Sequence, residues 1–98
     1  MVPWGNPTSY RFSRTSVLLN APERSGVYVL YSKTTWVYIG EGENIREQLL
    51  QHLDGPNACI SVFPDLTFSY ELIPSPRRAW RQDELVSGLR PICNPWGR

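Results

Sequence analysis

Apolar positions along the chain come in two rhythms. From Gly26 to Ser32 they run unbroken as Val27-Tyr28-Val29-Leu30-Tyr31, a β-branched and aromatic stretch that predicts a buried strand. Trp36-Val37-Tyr38-Ile39 repeats the pattern and stops at Gly40. Lys33-Thr34-Thr35 between them has room only for a turn, so the two strands form an antiparallel hairpin. Phe68 to Ile73 alternates with period two and is closed by Pro74-Ser75-Pro76, which predicts a third strand.

From Asn44 the period changes to that of a helix. Ile45, Leu49 and Leu53 recur every fourth residue and make one apolar stripe. Asn44 can cap this helix, with Glu47 three residues on, and Gly55-Pro56-Asn57 ends it. A second helix is expected from Arg77 to Leu89, with Ala79-Trp80 and Leu85-Val86 buried and Pro91 as its stop. Ser16 to Leu19 fits a short strand or a turn of helix, and residues 1–9 read as irregular. The order ββαβα predicts an α+β fold, a small antiparallel sheet of three or more strands flanked by helices. The expected organisation is an N-terminal arm over 1–23 and one globular domain over 24–98.

Composition narrows the class. The 98 residues are 41% apolar and 19% charged, which suits a single folded domain. No apolar run approaches the ~18 residues of a membrane span, and no signal peptide is legible at the start. Cys59 and Cys93 could pair, but without a Cys-x-x-Cys motif or a secretory signal they are expected as free thiols in the cytoplasm. With His52 the only histidine, the ligand count excludes a zinc site. The four tryptophans, Trp4, Trp36, Trp80 and Trp96, are expected in packing.

Net charge is +1 but unevenly spread: +3 over residues 1–40, −5 over 41–71 and +3 over 72–98. Nine of the ten cations are Arg, the side chain suited to bidentate phosphate contact. Arg46, Arg77, Arg78 and Arg81 are therefore the candidate nucleic-acid contacts. No broad basic field draws nucleic acid unaided.

One constellation carries chemistry. Gly26-Val27-Tyr28 is followed after nine residues by Tyr38-Ile39-Gly40, then by Asn44-Ile45 and His52, with Glu84-Leu85-Val86, Pro91 and Asn94 closing the motif. This resembles the GIY-YIG endonuclease superfamily over residues 24–94, with Val for Ile in the first triplet. The resemblance implies a phosphodiester hydrolase site. Its members use two motif tyrosines, an Arg and a His one turn apart on the first helix, and a Glu on the second helix that holds one divalent metal. Carried over, the site residues are Tyr28, Tyr38, Gly40 and His52, with Gly40 letting the chain turn closely beneath the substrate.

Two positions depart from that pattern. The family Arg falls on Gln48 and the family Glu on Gln82. Arg46 and Glu84 stand two residues away, about 200° around a helix, and replace them only if the register shifts. Losing one charged transition-state stabiliser costs about 10²–10³ in rate, and an amide oxygen is a poorer Mg²⁺ ligand than a carboxylate. Glu41 and Glu43 are read as helix N-terminal partners and not as metal ligands.

Three functions follow. The first is a nuclease-fold domain with lost or weakened cleavage, retained for nucleic-acid or protein contact, DNA being favoured over RNA. The second is an active endonuclease using Mg²⁺ or Mn²⁺, with Glu84 as metal ligand and Arg46 or a C-terminal Arg as phosphate clamp. The third is a protein-interaction module without nucleic acid, which the acidic middle segment favours.

Overall fold

A computed structural model describes residues 4–55 and 57–94. Pro56 and Trp96, for which a turn and a packing role were expected, lie outside the described residues. The hairpin forms as the apolar pattern predicts, from β2 (Gly26–Tyr31) and β3 (Trp36–Gly42), and the third strand is β4 (Thr67–Leu72). A fourth strand, β1 (Tyr10–Arg11), joins on the far side of β4, so the sheet order is β1-β4-β2-β3 with every pair antiparallel. The expected helices are α2 (Ile45–Asp54) and α4 (Arg77–Leu89), and two short ones, α1 (Arg14–Asn20) and α3 (Ala58–Ser61), complete the set.

The segment read as an arm is part of the domain. Ser13 caps α1, which settles Ser16 to Leu19 as helix. Val17 and Ala21 are fully buried beneath it, while Tyr10 pairs with Phe68 in the sheet. Burying a Val-sized side chain stabilises by about 1.5–3 kcal/mol, enough to hold a helix of this length that would not form alone.

Alternation along the strands divides the core into two layers. Tyr28, Leu30 and Phe68 face α1, α2 and α3, where Val17, Ile45, Leu49 and Ile60 meet them. Val27, Val29 and Ile39 face α4, where Leu85 is the one fully buried residue of that helix. A β-bulge lies in β3: Leu30 pairs with Tyr38 and Tyr31 with Trp36, so Val37 is the extra residue. It turns Val37 and Tyr38 to the α2 layer while Trp36 and Ile39 face α4.

Two expectations fail here. Ala79 and Trp80 are exposed, Trp80 at 71%, because five residues separate Trp80 from Leu85 and place it about 140° away around the helix. Cys59 and Cys93 form a disulfide instead of free thiols, with their Cα atoms 5.7 Å apart. The tail after α4 runs along β3, where the Ile92 and Cys93 amides donate to the Trp36 and Val37 carbonyls at 3.0 and 2.8 Å. That path delivers Cys93 to α3. Paired cysteines are commonest in oxidising compartments, so they lend no support to the cytoplasmic expectation. Among the described residues no helix is long and apolar enough to cross a membrane.

Candidate nuclease-like site

Tyr28 on β2 and Gly40 on β3 are direct partners in the sheet. The Tyr28 ring lies across Gly40 so closely that a Cβ there would stand 2.3 Å from both Cζ and the hydroxyl oxygen. No residue with a side chain fits this crossing, which accounts for the glycine. Tyr38 shares the same face two residues before Gly40, and its ring centre is 6.3 Å from that of Tyr28.

Helix α2 supplies the third ring. Asn44 caps it through a hydrogen bond from the Glu47 amide (3.0 Å), and Ile45 and Leu49 anchor it on the sheet. Its first amides donate to loop carbonyls: Ile45 to Arg24 at 3.0 Å and Arg46 to Pro22 at 3.1 Å. So fixed, α2 brings His52 Nε2 to 2.7 Å from the Tyr28 hydroxyl and sets its ring edge-on to Tyr38 at 4.8 Å. Gln48, one turn earlier on α2, lies over Gly42, where a Cβ would be 2.8 Å from Gln48 Cγ.

Gln82 approaches the same strand from α4. Its Nε2 donates to the Ile39 carbonyl at 3.2 Å. Asn94 brackets Ile39 from the tail, accepting from its amide at 2.7 Å and donating to its carbonyl at 2.8 Å. Both Gln positions thus meet β3 between Tyr38 and Gly42.

The charged candidates are placed differently. Glu84 bonds Arg81 at 2.9 Å and lines an open groove with Trp80, a groove that neither tyrosine reaches. The helix holds its regular register, so Gln82 and not Glu84 faces β3. Arg46 is committed to the Ala21 carbonyl (2.9 Å) and to Glu23 (3.4 Å). The three arginines of α4 diverge. Arg77 is exposed in the Trp80 groove, and Arg81 grips Glu71 at 2.9 and 3.1 Å. Arg78 bonds Glu41 at 2.5 Å and the Ser25 hydroxyl at 3.0 Å. Glu41 is therefore the ion-pair partner of Arg78, in the first turn of α4. Nothing in the sequence signals that pair, whose members stand 37 residues apart.

Burial governs the protonation of the cluster. It pushes the Tyr28 phenol far above its ordinary value, with Tyr38 and the Glu41 carboxylate adding to the effect. It raises Tyr38 as well and lowers His52. At neutral pH the cluster holds two neutral phenols and a neutral imidazole. The Tyr28–His52 contact therefore carries one proton, given by the phenol or by Nε2 according to the imidazole tautomer.

The donor set does not fit a divalent cation. Gln82 offers a neutral amide oxygen where the family pattern has a carboxylate, and Glu41 is held by Arg78.

A tyrosine pair on a hairpin, crossed by a helix that carries His52 and backed by a second helix, is the GIY-YIG nuclease fold, and this chain has it. Solved structures it resembles include those of the GIY-YIG N-terminal endonuclease domain of UvrC from Thermotoga maritima. The magnesium-bound form matches at a TM-score of 0.68 and 23% identity, over 83% of this chain and 93% of that one. An asparagine-to-alanine mutant bound to its catalytic divalent cation matches at 0.68 and 22%, over 83% and 92%. Three further mutants of that domain, each with one tyrosine replaced by phenylalanine, match at TM-scores of 0.65 to 0.68 and 21–22% identity. In sequence, UvrABC system protein C from Aquifex aeolicus and from a Hydrogenobaculum species are each 42% identical over 38 residues. That segment is 39% of this chain but only 7% of either relative. No family model matches.

Proposed function

We propose that the chain is a GIY-YIG-fold domain that binds DNA across the Tyr28–Tyr38–His52 cluster and has lost most of its phosphodiester cleavage. The observation that carries this is the bonding of Gln82. Its amide N–H donates to a carbonyl that also accepts from Asn94, a bond that an ionised Glu cannot make. The amide at 82 is thus built into the packing of β3. With Gln48 it leaves the site without the Arg and the carboxylate of the family pattern.

What remains suits binding. The Tyr38 hydroxyl is half-buried and takes no hydrogen bond among the described residues, so it can donate to a phosphoryl oxygen. Tyr28 holds His52 in place, and the neutral imidazole is a base of ordinary strength at most. Neutral Gln48 stands where the family pattern has its Arg, a loss that limits rate more than affinity. The endonuclease character of the solved UvrC domains supports DNA as the ligand. With Arg46, Arg78 and Arg81 in internal ion pairs, the salt dependence of binding will be shallow, near one or two phosphates.

The test is plasmid cleavage with Mg²⁺ or Mn²⁺ by the native chain and by the Gln48→Arg/Gln82→Glu double variant, alongside anisotropy of a labelled duplex at low and moderate salt. Binding by an inert native chain and cutting by the variant support the proposal. Cleavage by the native chain that Glu84→Gln abolishes would make it an active enzyme instead. No binding at low salt would leave a protein-interaction module.

A further inference from the structure

His52 also lines a second concavity, of about 260 Å³, that neither tyrosine enters. Phe12, Ile60 and Phe63 are its apolar walls, and Ser61 and Asp65 its polar ones. Its volume falls just under the ~300 Å³ at which pockets for drug-sized ligands begin, so it suits one fused ring system and not a longer ligand. Beside the His52 ring, which offers one donor or acceptor according to its tautomer, Ser61 and Asp65 offer acceptors. Ser61 Oγ gives its proton to the Asn57 carbonyl at 2.9 Å and keeps its lone pairs. The Asp65 carboxylate is exposed and takes no ion pair or hydrogen bond among the described residues.

We propose that this concavity receives one unstacked nucleobase of the bound DNA and that guanine is the base it favours. The inference rests on the DNA reading above and narrows it to a class of DNA ligand. Three features converge. Aromatic walls suit any base, since each has a π-face. A lone carboxylate accepts best from two adjacent N–H groups. Guanine carries N1–H and N2–H side by side on its pairing edge, whereas adenine, cytosine and thymine each set an acceptor beside their donor there. Finally, His52 belongs to both compartments, so a single nucleotide can lay its phosphate against the tyrosines and its base in the concavity. A base inside a duplex cannot reach such a pocket without leaving the stack. The DNA bound is therefore one that offers an unpaired guanine: a single strand, a bulge or a branch.

The experiment is an NMR titration of the whole chain with dGMP, dCMP, dAMP, dTMP and inorganic phosphate, followed at Phe12, Ser61, Phe63 and Asp65. We expect dGMP to shift these resonances at about tenfold or more lower concentration than dTMP, and phosphate to leave them in place. Asp65→Asn, isosteric and on the surface, will abolish the guanine preference, and Phe63→Leu will weaken all four nucleotides alike. Equal response to dGMP and dTMP, or a guanine preference that survives Asp65→Asn, overturns the inference. Anisotropy of a hairpin with one bulged guanine, against the same hairpin with a bulged thymine, separates this from the parent reading. DNA binding with no guanine preference removes the pocket and leaves the DNA site. A guanine response without DNA binding does the reverse.

Discussion

Replacing Gly40 by Ala places a methyl group 2.3 Å from the Tyr28 Cζ and hydroxyl oxygen, where carbon contacts settle at about 3.5–4.0 Å. The ring must retreat by about 1.2 Å or more. It has nowhere to go, because Tyr28 is 1% exposed beneath α2. Overpacking of this kind costs about 1–3 kcal/mol. The retreat also breaks the 2.7 Å contact with His52, worth about 0.5–1.5 kcal/mol net. We expect Gly40→Ala to cost about 2–4 kcal/mol in all. At a urea m-value of about 1 kcal/mol/M for a small domain, the unfolding midpoint falls by about 2–4 M. The same substitution in a Tyr28→Leu background meets no ring, and its cost should fall by at least half. A Gly40→Ala cost under about 0.5 kcal/mol, or an equal cost in both backgrounds, would refute the crossing as the reason for the glycine.

Other consequences are as measurable. Reducing Cys59–Cys93 opens a loop of 34-residue separation and should cost about 4 kcal/mol, read from urea curves with and without a thiol reductant; a change under 1 kcal/mol would contradict it. Leu85→Ala should cost about 2–5 kcal/mol and Trp80→Ala under about 0.5 by the same assay, since one is buried and the other 71% exposed; equal costs would put α4 in another rotation. Stability should fall as pH drops below about 6.5, where unfolded His52 takes a proton that the folded residue refuses. It should also fall as pH rises past about 10, where unfolded Tyr28 ionises and folded Tyr28 does not. His52→Gln should flatten the acid limb and Tyr28→Phe the alkaline one, and limbs that persist unchanged in these variants would contradict the burial effects.

What the sequence discloses and what it withholds follow from distance along the chain. The β2–β3 hairpin, the Asn44 cap and the rings of Tyr28, Tyr38 and His52 all lie within 27 residues, where alternation, turn length and helical period act directly. β1 consists of two residues whose partner strand begins 56 positions later, and no local pattern marks so short a strand. The cysteine spacing carries no geometry until the tail is known to follow β3. Trp80 misleads because an aromatic residue in a helix reads as core, and only the angle from Leu85 shows that it faces outward. Arg78 and Glu41 meet through the packing of α4 on the sheet, which periodicity alone does not orient.

The course of the tail has a consequence for how copies of this molecule meet. A sheet is open to strand addition wherever backbone N–H and C=O groups line a free edge. At one margin β1 is too short to template anything. At the other, Ile92, Cys93 and Asn94 take up hydrogen-bonding groups of Trp36, Val37 and Ile39, so β3 is capped along the stretch that carries Tyr38. Removing the chain from Ile92 onward would bare that edge, and the surface that flanks the tyrosines would become one on which a second molecule could extend the sheet. The last few described residues thus cover the edge of β3 against strand addition as well as carrying Cys93 to α3.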